Sequence, residues 1–406
     1  MYRIVVVLLI STSVQSIGQI VERPPFNMFT EFPQAELRGY GRGSLGFDAS
    51  MNTYNPHYLS PEGADYRLLV GANVGFAGRR TYPPQGELST SFDADKFTNP
   101  INPTIGAILW SGRSMFQLCY YQDYGIKDHE TGSTSYGFGN LYRVSSRERD
   151  IRLRQCTFQV AFSHSILPSC SVTVGLLTKG FRYEWDIKSI PPVVYEHNMF
   201  EHFQGVVGIM VSPLENLQSY LTLTSQNSRI DLSDGVFRFP AGILVYPTLT
   251  KISYYGNIGY GVQVGVLQQL KLSVEMRHQF LEDSSDVIES DGFIAYGERH
   301  IWNNEITVGA HTSILSTVQL GLRYSRFLKY DNRKGMIRTS SSGMNSTMSI
   351  QNPYSLAVVS QVTLGDLSME VAYQYAKAGY EYQGQTAISD AVHSASVLIG
   401  YSFSLE

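Results

Sequence analysis

The sequence predicts an all-β protein, a transmembrane antiparallel β-barrel of roughly 14 strands behind an N-terminal plug segment. Three observations predict it. Segments in which apolar and polar residues alternate recur from residue 66 almost to the end, each long enough to cross a bilayer at a tilt. Tight turns and long polar stretches alternate as the connections between them. Charged residues make up only 16% of the chain, while 27 Tyr, 20 Phe and 36 Gly suit strands, turns and aromatic girdles. Other classes are excluded on the same grounds. A mean hydropathy of −0.12 is too polar for a bundle of membrane helices. After the N-terminus no apolar run reaches the ~18 residues that a membrane helix needs. A net charge of −4 argues against a nucleic-acid partner.

Residues 1–18 read as a removed signal peptide. Arg3 gives the positive start, Ile4 to Ile10 form a short apolar core, and Ser16, Ile17 and Gly18 precede a cleavage point at Gln19. That core is too short to span a bilayer. No Cys follows it, so a lipid anchor is not expected.

Residues 19–65 are not strand-like. Pro24, Pro25 and Pro33 break the start. Gly41, Gly43 and Gly46 match the dinucleotide-binding fingerprint, but no apolar strand precedes them and no βαβ pattern surrounds them. A compact Gly-rich plug or periplasmic extension explains the segment better. It closes on Asn55 and Pro56, a pair suited to a fixed turn before the first strand.

The barrel is expected over 66–406. Its most regular hairpin is 258–280. Ile258, Tyr260, Val262 and Val264 alternate with Gly259, Gly261, Gln263 and Gly265, and after Gln268 and Gln269 the pattern restarts. Leu270, Leu272, Val274 and Met276 then alternate with Lys271, Ser273, Glu275 and Arg277. In order, strands are expected at about 66–78, 104–110, 114–124, 151–166, 171–185, 199–212, 217–230, 257–267, 270–281, 301–313, 317–330, 353–364, 367–382 and 392–403. Tight turns fall at 111–113, 167–170, 213–216, 268–269, 315–316 and 365–366. Long polar loops are expected at 79–103, 125–150, 186–198, 231–256, 282–300, 331–352 and 383–391. A propeller would repeat in blades of about four strands, and none is seen. A soluble sandwich would not put every long loop at each second connection.

Each strand has one apolar face, as in Phe158, Val160 and Phe162 against Gln159 and Ser163. Unpaired backbone is too costly in lipid, so the sheet must close, with the apolar face outward. On that reading Val264 and Val274 meet the bilayer. Lys271, Glu275, Arg277, Glu305, Arg323 and Glu370 line the lumen. Val274→Arg is then expected to impair insertion and Arg277→Val to be tolerated. An ion-paired lining of this kind can position a plug or a polar head group.

Enzymatic and metal chemistry is weakly represented. Cys119, Cys156 and Cys170 are too few and too scattered for a disulfide framework. His197, Glu201 and His202 resemble a ligand cluster, but Glu201 and His202 begin a strand and point to opposite faces. Asp283, Asp286 and Asp291 are candidate Ca²⁺ ligands in an acidic loop, without EF-hand spacing, and read better as solvated. There is no G-x-S-x-G, although the triad of an outer-membrane lipase need not be contiguous. No cofactor is expected, and the chain reads as a non-enzyme.

The arrangement resembles the FadL-type outer-membrane transport family of long-chain fatty acid and hydrocarbon transporters. The signal peptide, the Gly-rich segment ending near Asn55 and Pro56, the roughly 14 strands and the closing strand at 397–403 carry the resemblance. Where the family reads Asn-Pro-Ala before a Leu, this chain reads Asn55, Pro56, His57, Tyr58, Leu59. The resemblance implies a Gram-negative outer-membrane location and lipid as the surrounding partner. It also implies passive uptake of a hydrophobic small molecule past an N-terminal hatch. Release into the outer leaflet would need a kinked strand, and the third strand offers no internal Gly or Pro for one. Alternatives are a non-transporting scaffold or secretion-system shuttle on the same barrel, and a general porin.

Overall fold

The computed structural model describes residues 65–81, 91–93, 97–98, 102–138, 141–187, 190–214, 216–231, 237–238, 244–245, 251–254, 256–290, 293–329, 337–339, 348–382 and 385–404. The expected signal peptide lies outside them. So does the expected plug except for Asp65, and with it Gly41, Gly43, Gly46, Asn55 and Pro56.

Fourteen strands form one closed antiparallel barrel. They are β1 (Tyr66–Thr81), β2 (Asn102–Ser111), β3 (Ser114–Phe138), β4 (Leu141–Leu167) and β5 (Cys170–Ile187). Then come β6 (Phe203–Leu214), β7 (Leu217–Thr224), β8 (Gly256–Gly265), β9 (Leu270–Ser290) and β10 (Phe293–Leu315). β11 (Val318–Lys329), β12 (Met348–Leu364), β13 (Leu367–Tyr382) and β14 (Gln385–Phe403) complete it. Each strand pairs with the next, and β14 pairs back onto β1 from Phe403 opposite Tyr66 to Ser389 opposite Thr81. Closure leaves no strand edge for lipid to face.

All 14 strands expected from alternation are present, and several run further. The polar stretches 125–150 and 282–300 are mostly hairpin, not loop. β3 pairs with β4 as far as Phe138 opposite Leu141, and β9 with β10 as far as Ser290 opposite Phe293. The reason is that apolar alternation marks only the part of a strand that meets lipid. Above the membrane the ladder continues by backbone hydrogen bonding alone, with no demand on side chains. Asp283 and Asp286 therefore sit in β9, and Asp291 lies outside the described residues. The sixth strand starts later than expected, at Phe203. Residues 198–202 turn instead: Phe200 takes φ 74 and donates its backbone N–H to Thr178 Oγ1 at 3.0 Å.

Register confirms the alternation strand by strand. In the β8–β9 hairpin Val262 faces Val274, Gln263 faces Ser273 and Gly261 faces Glu275. Val274 is 49% exposed and its neighbour Glu275 only 6%. The same split holds around the ring. Leu68, Val70, Phe116, Leu118, Val207, Leu322, Val358, Val371 and Ile399 are exposed, and polar residues between them are buried. An apolar belt this extensive belongs in lipid. Aromatic rings border it. Tyr66, Phe403 and Tyr401 stack at the short-turn rim. Tyr260 with His278, and Tyr324, Tyr354 and Tyr375 with His393, mark the opposite rim. Two of the tight turns need glycine, since Gly112 (φ 57) and Gly365 (φ 58) are left-handed.

One irregularity concerns β3. Its register with β4 shifts between Gln122 and Tyr124, so Asp123 is an extra residue. Pairing of β3 with β2 runs only from Ser114 to Tyr121. The bulge thus follows directly on the end of the β2–β3 ladder.

Candidate functional site in the barrel interior

The interior surface is set by parity: residues between the lipid-facing positions turn inward. Buried charged side chains among the described residues lie on β1 and β9–β13 alone: Arg67, Glu275, Glu305, His311, Arg323 and Glu370. Two ion pairs link them. Arg323 Nη2 lies 3.4 Å from Glu275 Oε2, and Arg277 Nη1 lies 3.4 Å from Glu305 Oε2. The first pair reaches across β10. Gly309, which sits opposite Arg323 on one side and Ser273 on the other, has no side chain to block the path.

A second group forms where the barrel closes. Arg67 Nη2 donates to Ser368 Oγ at 2.7 Å, spanning β14. Gly400 makes this crossing possible. A Cβ there would stand 2.8 Å from Ser368 Oγ and 2.9 Å from the Arg67 guanidinium. Glu370 lies in the field of both Arg67 and Arg323. Its two carboxylate oxygens have no hydrogen-bond partner among the described residues.

The facing wall, β2 to β7, is built differently. Ile108, Trp110 and Met115 cluster with Leu398 of β14, and Ala161, Val206, Met210 and Tyr220 form a second cluster with Leu177 against it. Mostly neutral groups fill the intervals: Ser163 and Thr173 share a 2.6 Å hydrogen bond, and the half-buried Lys179 lies over the Tyr254 ring at 4.7 Å. Tyr220 crosses over Gly261, where a Cβ would come within 2.5 Å of the ring. Among the described residues the interior therefore has a strongly charged side and a mostly neutral, partly apolar side. An apolar surface placed against that wall strips fewer charges of their hydration than one placed against the other.

Of the six positions expected to line the lumen, Glu275, Glu305, Arg323 and Glu370 are buried, and the structure brings Glu275, Arg277, Glu305 and Arg323 into ion pairs. Lys271 stands nearer the short turns, opposite His311. Sequence reading missed Arg67 and His311, although their parity with Leu68 and Thr312 was a usable signal. It also missed the apolar half of the interior, because an inward Met or Val breaks alternation and looks like noise. Elsewhere, Glu201 is engaged locally: Asn198 donates to it from its backbone N–H at 3.1 Å and its side-chain amide at 2.9 Å. Cys119, Cys156 and Cys170 form no disulfide, and Tyr120 Oη donates to Cys156 Sγ at 3.3 Å.

No family profile and no curated protein sequence matches this chain. Solved structures do. The Pseudomonas putida toluene transporter TodX superposes with a TM-score of 0.54 at 8% identity, covering 92% of this chain and 98% of its own. The Ralstonia pickettii toluene transporter TbuX gives 0.56 at 10%, with 92% and 99% covered. A Pseudomonas aeruginosa FadL homologue gives 0.52 at 11%, with 92% and 98% covered. The chain has their fold. At such identities the likeness carries no individual residue across, so the FadL-type resemblance now rests on the fold of the 14-stranded barrel.

Proposed function

We propose that this protein is an outer-membrane channel for passive uptake of hydrophobic compounds, with the N-terminal segment as its plug. The observation that carries this reading is the divided interior, a mostly neutral, partly apolar wall inside a closed, lipid-belted barrel. That the FadL-type fold houses toluene transporters supports it. The charged wall, Glu275, Arg277, Glu305, Arg323 and Glu370, holds water and seats the plug, while hydrophobic cargo follows the opposite side. Nothing in this role asks for a cofactor or for enzymatic chemistry. Cells with and without the protein, given labelled toluene and a labelled long-chain fatty acid, test the reading. Faster accumulation of at least one is expected. Equal accumulation across a broad hydrophobic panel would leave only a scaffold.

The bulge at Asp123 is the proposed point of release into the outer leaflet, because it lies where β3 loses its partner β2. Deleting Asp123 restores an even ladder. Accumulation should fall about tenfold while the barrel still folds, read by heat-modifiable gel mobility. Unchanged accumulation would move the exit elsewhere.

The plug makes a separate prediction. Deleting residues 24–60 should leave a barrel that inserts and conducts ions steadily in planar bilayers, whereas the full chain stays nearly silent. A silent truncated barrel would contradict a plug, and a full chain with large steady conductance would indicate a general porin.

A further inference from the structure

The short-turn mouth of the barrel contains a cavity of about 370 Å³ between β7, β8 and β9. That volume falls within the range of small-molecule sites. Asn216, Gln218, Gln263, Gly265, Val266 and Lys271 wall it. Register explains why these residues meet. Gln218 pairs with Gln263, and Gly265 with Lys271, so the three long polar side chains stand together on the inward face. The rim is fixed by backbone: Gly265 donates its N–H to Asn216 O at 2.7 Å, and Asn216 Nδ2 donates to Gly265 O at 3.4 Å.

Two features of the cavity call for a ligand of a particular kind. Gln263 is 2% exposed, yet its Oε1 has no hydrogen-bond partner among the described residues, and neither does the buried Oε1 of Gln218. A buried amide oxygen without a donor keeps its desolvation cost uncompensated, so the site favours a molecule that brings hydroxyl or amine donors. Beside these acceptors stands the Lys271 ammonium, which favours an anion. Val266 supplies an apolar surface for the rest of the molecule. A plain hydrocarbon satisfies neither demand.

We infer that this mouth is a binding site for a small hydroxy-carboxylate, its carboxylate on Lys271 and its hydroxyl donating to Gln263 or Gln218. The inference rests on the uptake reading only in treating the barrel as a conduit, and it extends the cargo from hydrophobic molecules to amphipathic acids. The test uses the full-length protein in detergent, with calorimetric titration of 4-hydroxybenzoate, benzoate and phenol. Binding of 4-hydroxybenzoate should be at least tenfold tighter than that of either partial analogue. Lys271→Met should remove its advantage over phenol, and Gln263→Leu its advantage over benzoate, with folding of each variant checked by heat-modifiable mobility. Should Gln263→Leu fail to fold, Gln218→Leu together with Lys271→Met decides. Equal affinity for the three probes, no binding at all, or a preference that survives the substitutions would overturn the site. Failure of toluene and fatty-acid accumulation alongside intact discrimination would sink the uptake reading alone.

Discussion

Val274→Arg is expected to abolish most folding of the barrel into detergent or lipid. Val274 is 49% exposed on the lipid-facing side of β9, in the middle of its apolar stretch. An arginine at the bilayer midplane costs about 2–4 kcal/mol, a large part of the stability of an ordinary domain. Depth supplies the control. Val264 faces lipid too, on β8, but lies close to the short turn at 266–269. Near the interface the same substitution costs about 0–1 kcal/mol, so Val264→Arg should fold nearly normally. The folded fraction by heat-modifiable gel mobility, across a urea series, reads both. If Val274→Arg folds as well as the parent protein, the facing of the hairpin is inverted.

Arg323→Met should be the most damaging single change in the interior. It takes the paired guanidinium from Glu275, whose side chain is 7% exposed, and one of two neighbouring positive charges from Glu370. Breaking a buried pair costs about 3–5 kcal/mol, because the remaining charge keeps its desolvation and loses its compensation. Replacing both partners removes the buried charge along with its counter-charge. The double variant Arg323→Met with Glu275→Leu should recover most of that loss, as a double-mutant cycle would show. If Arg323→Met is as stable as the parent, water reaches Glu275 and the pair is solvated. The same reasoning revises the expectation for Arg277→Val. From sequence this change looked tolerable. The structure pairs Arg277 with Glu305, whose side chain is only 4% exposed, so a loss of stability is now expected unless Glu305 is neutralised too.

The fold was legible to an unusual degree, for a local reason. In a barrel the environment of a side chain depends on its parity, so Val262, Val264, Leu272 and Val274 announce a lipid face without reference to any other strand. Turn positions such as Gly112 and Gly365 are equally local, since a left-handed φ selects glycine wherever it occurs. Strand ends were less legible. Beyond the lipid the ladders of β3 with β4 and β9 with β10 continue on backbone bonds that any residue can make, and their polar side chains resembled loops.

By itself, then, the sequence determined how many strands there are, which way each faces and that the sheet must close, because period-2 patterning and the cost of unpaired backbone in lipid act within a strand. Tertiary structure alone decided which inward residues meet. Alternation fixes a strand's register only to within two residues, and interior contacts depend on the register of several strands at once. Arg67 reaches Ser368 across β14 because closure aligns them beside Gly400. Arg323 reaches Glu275 diagonally across β10, past Gly309 and Thr307. The mostly neutral wall, the bulge at Asp123 and the cavity at Gln263 have the same origin: each is a property of neighbouring strands in register, which no single strand encodes.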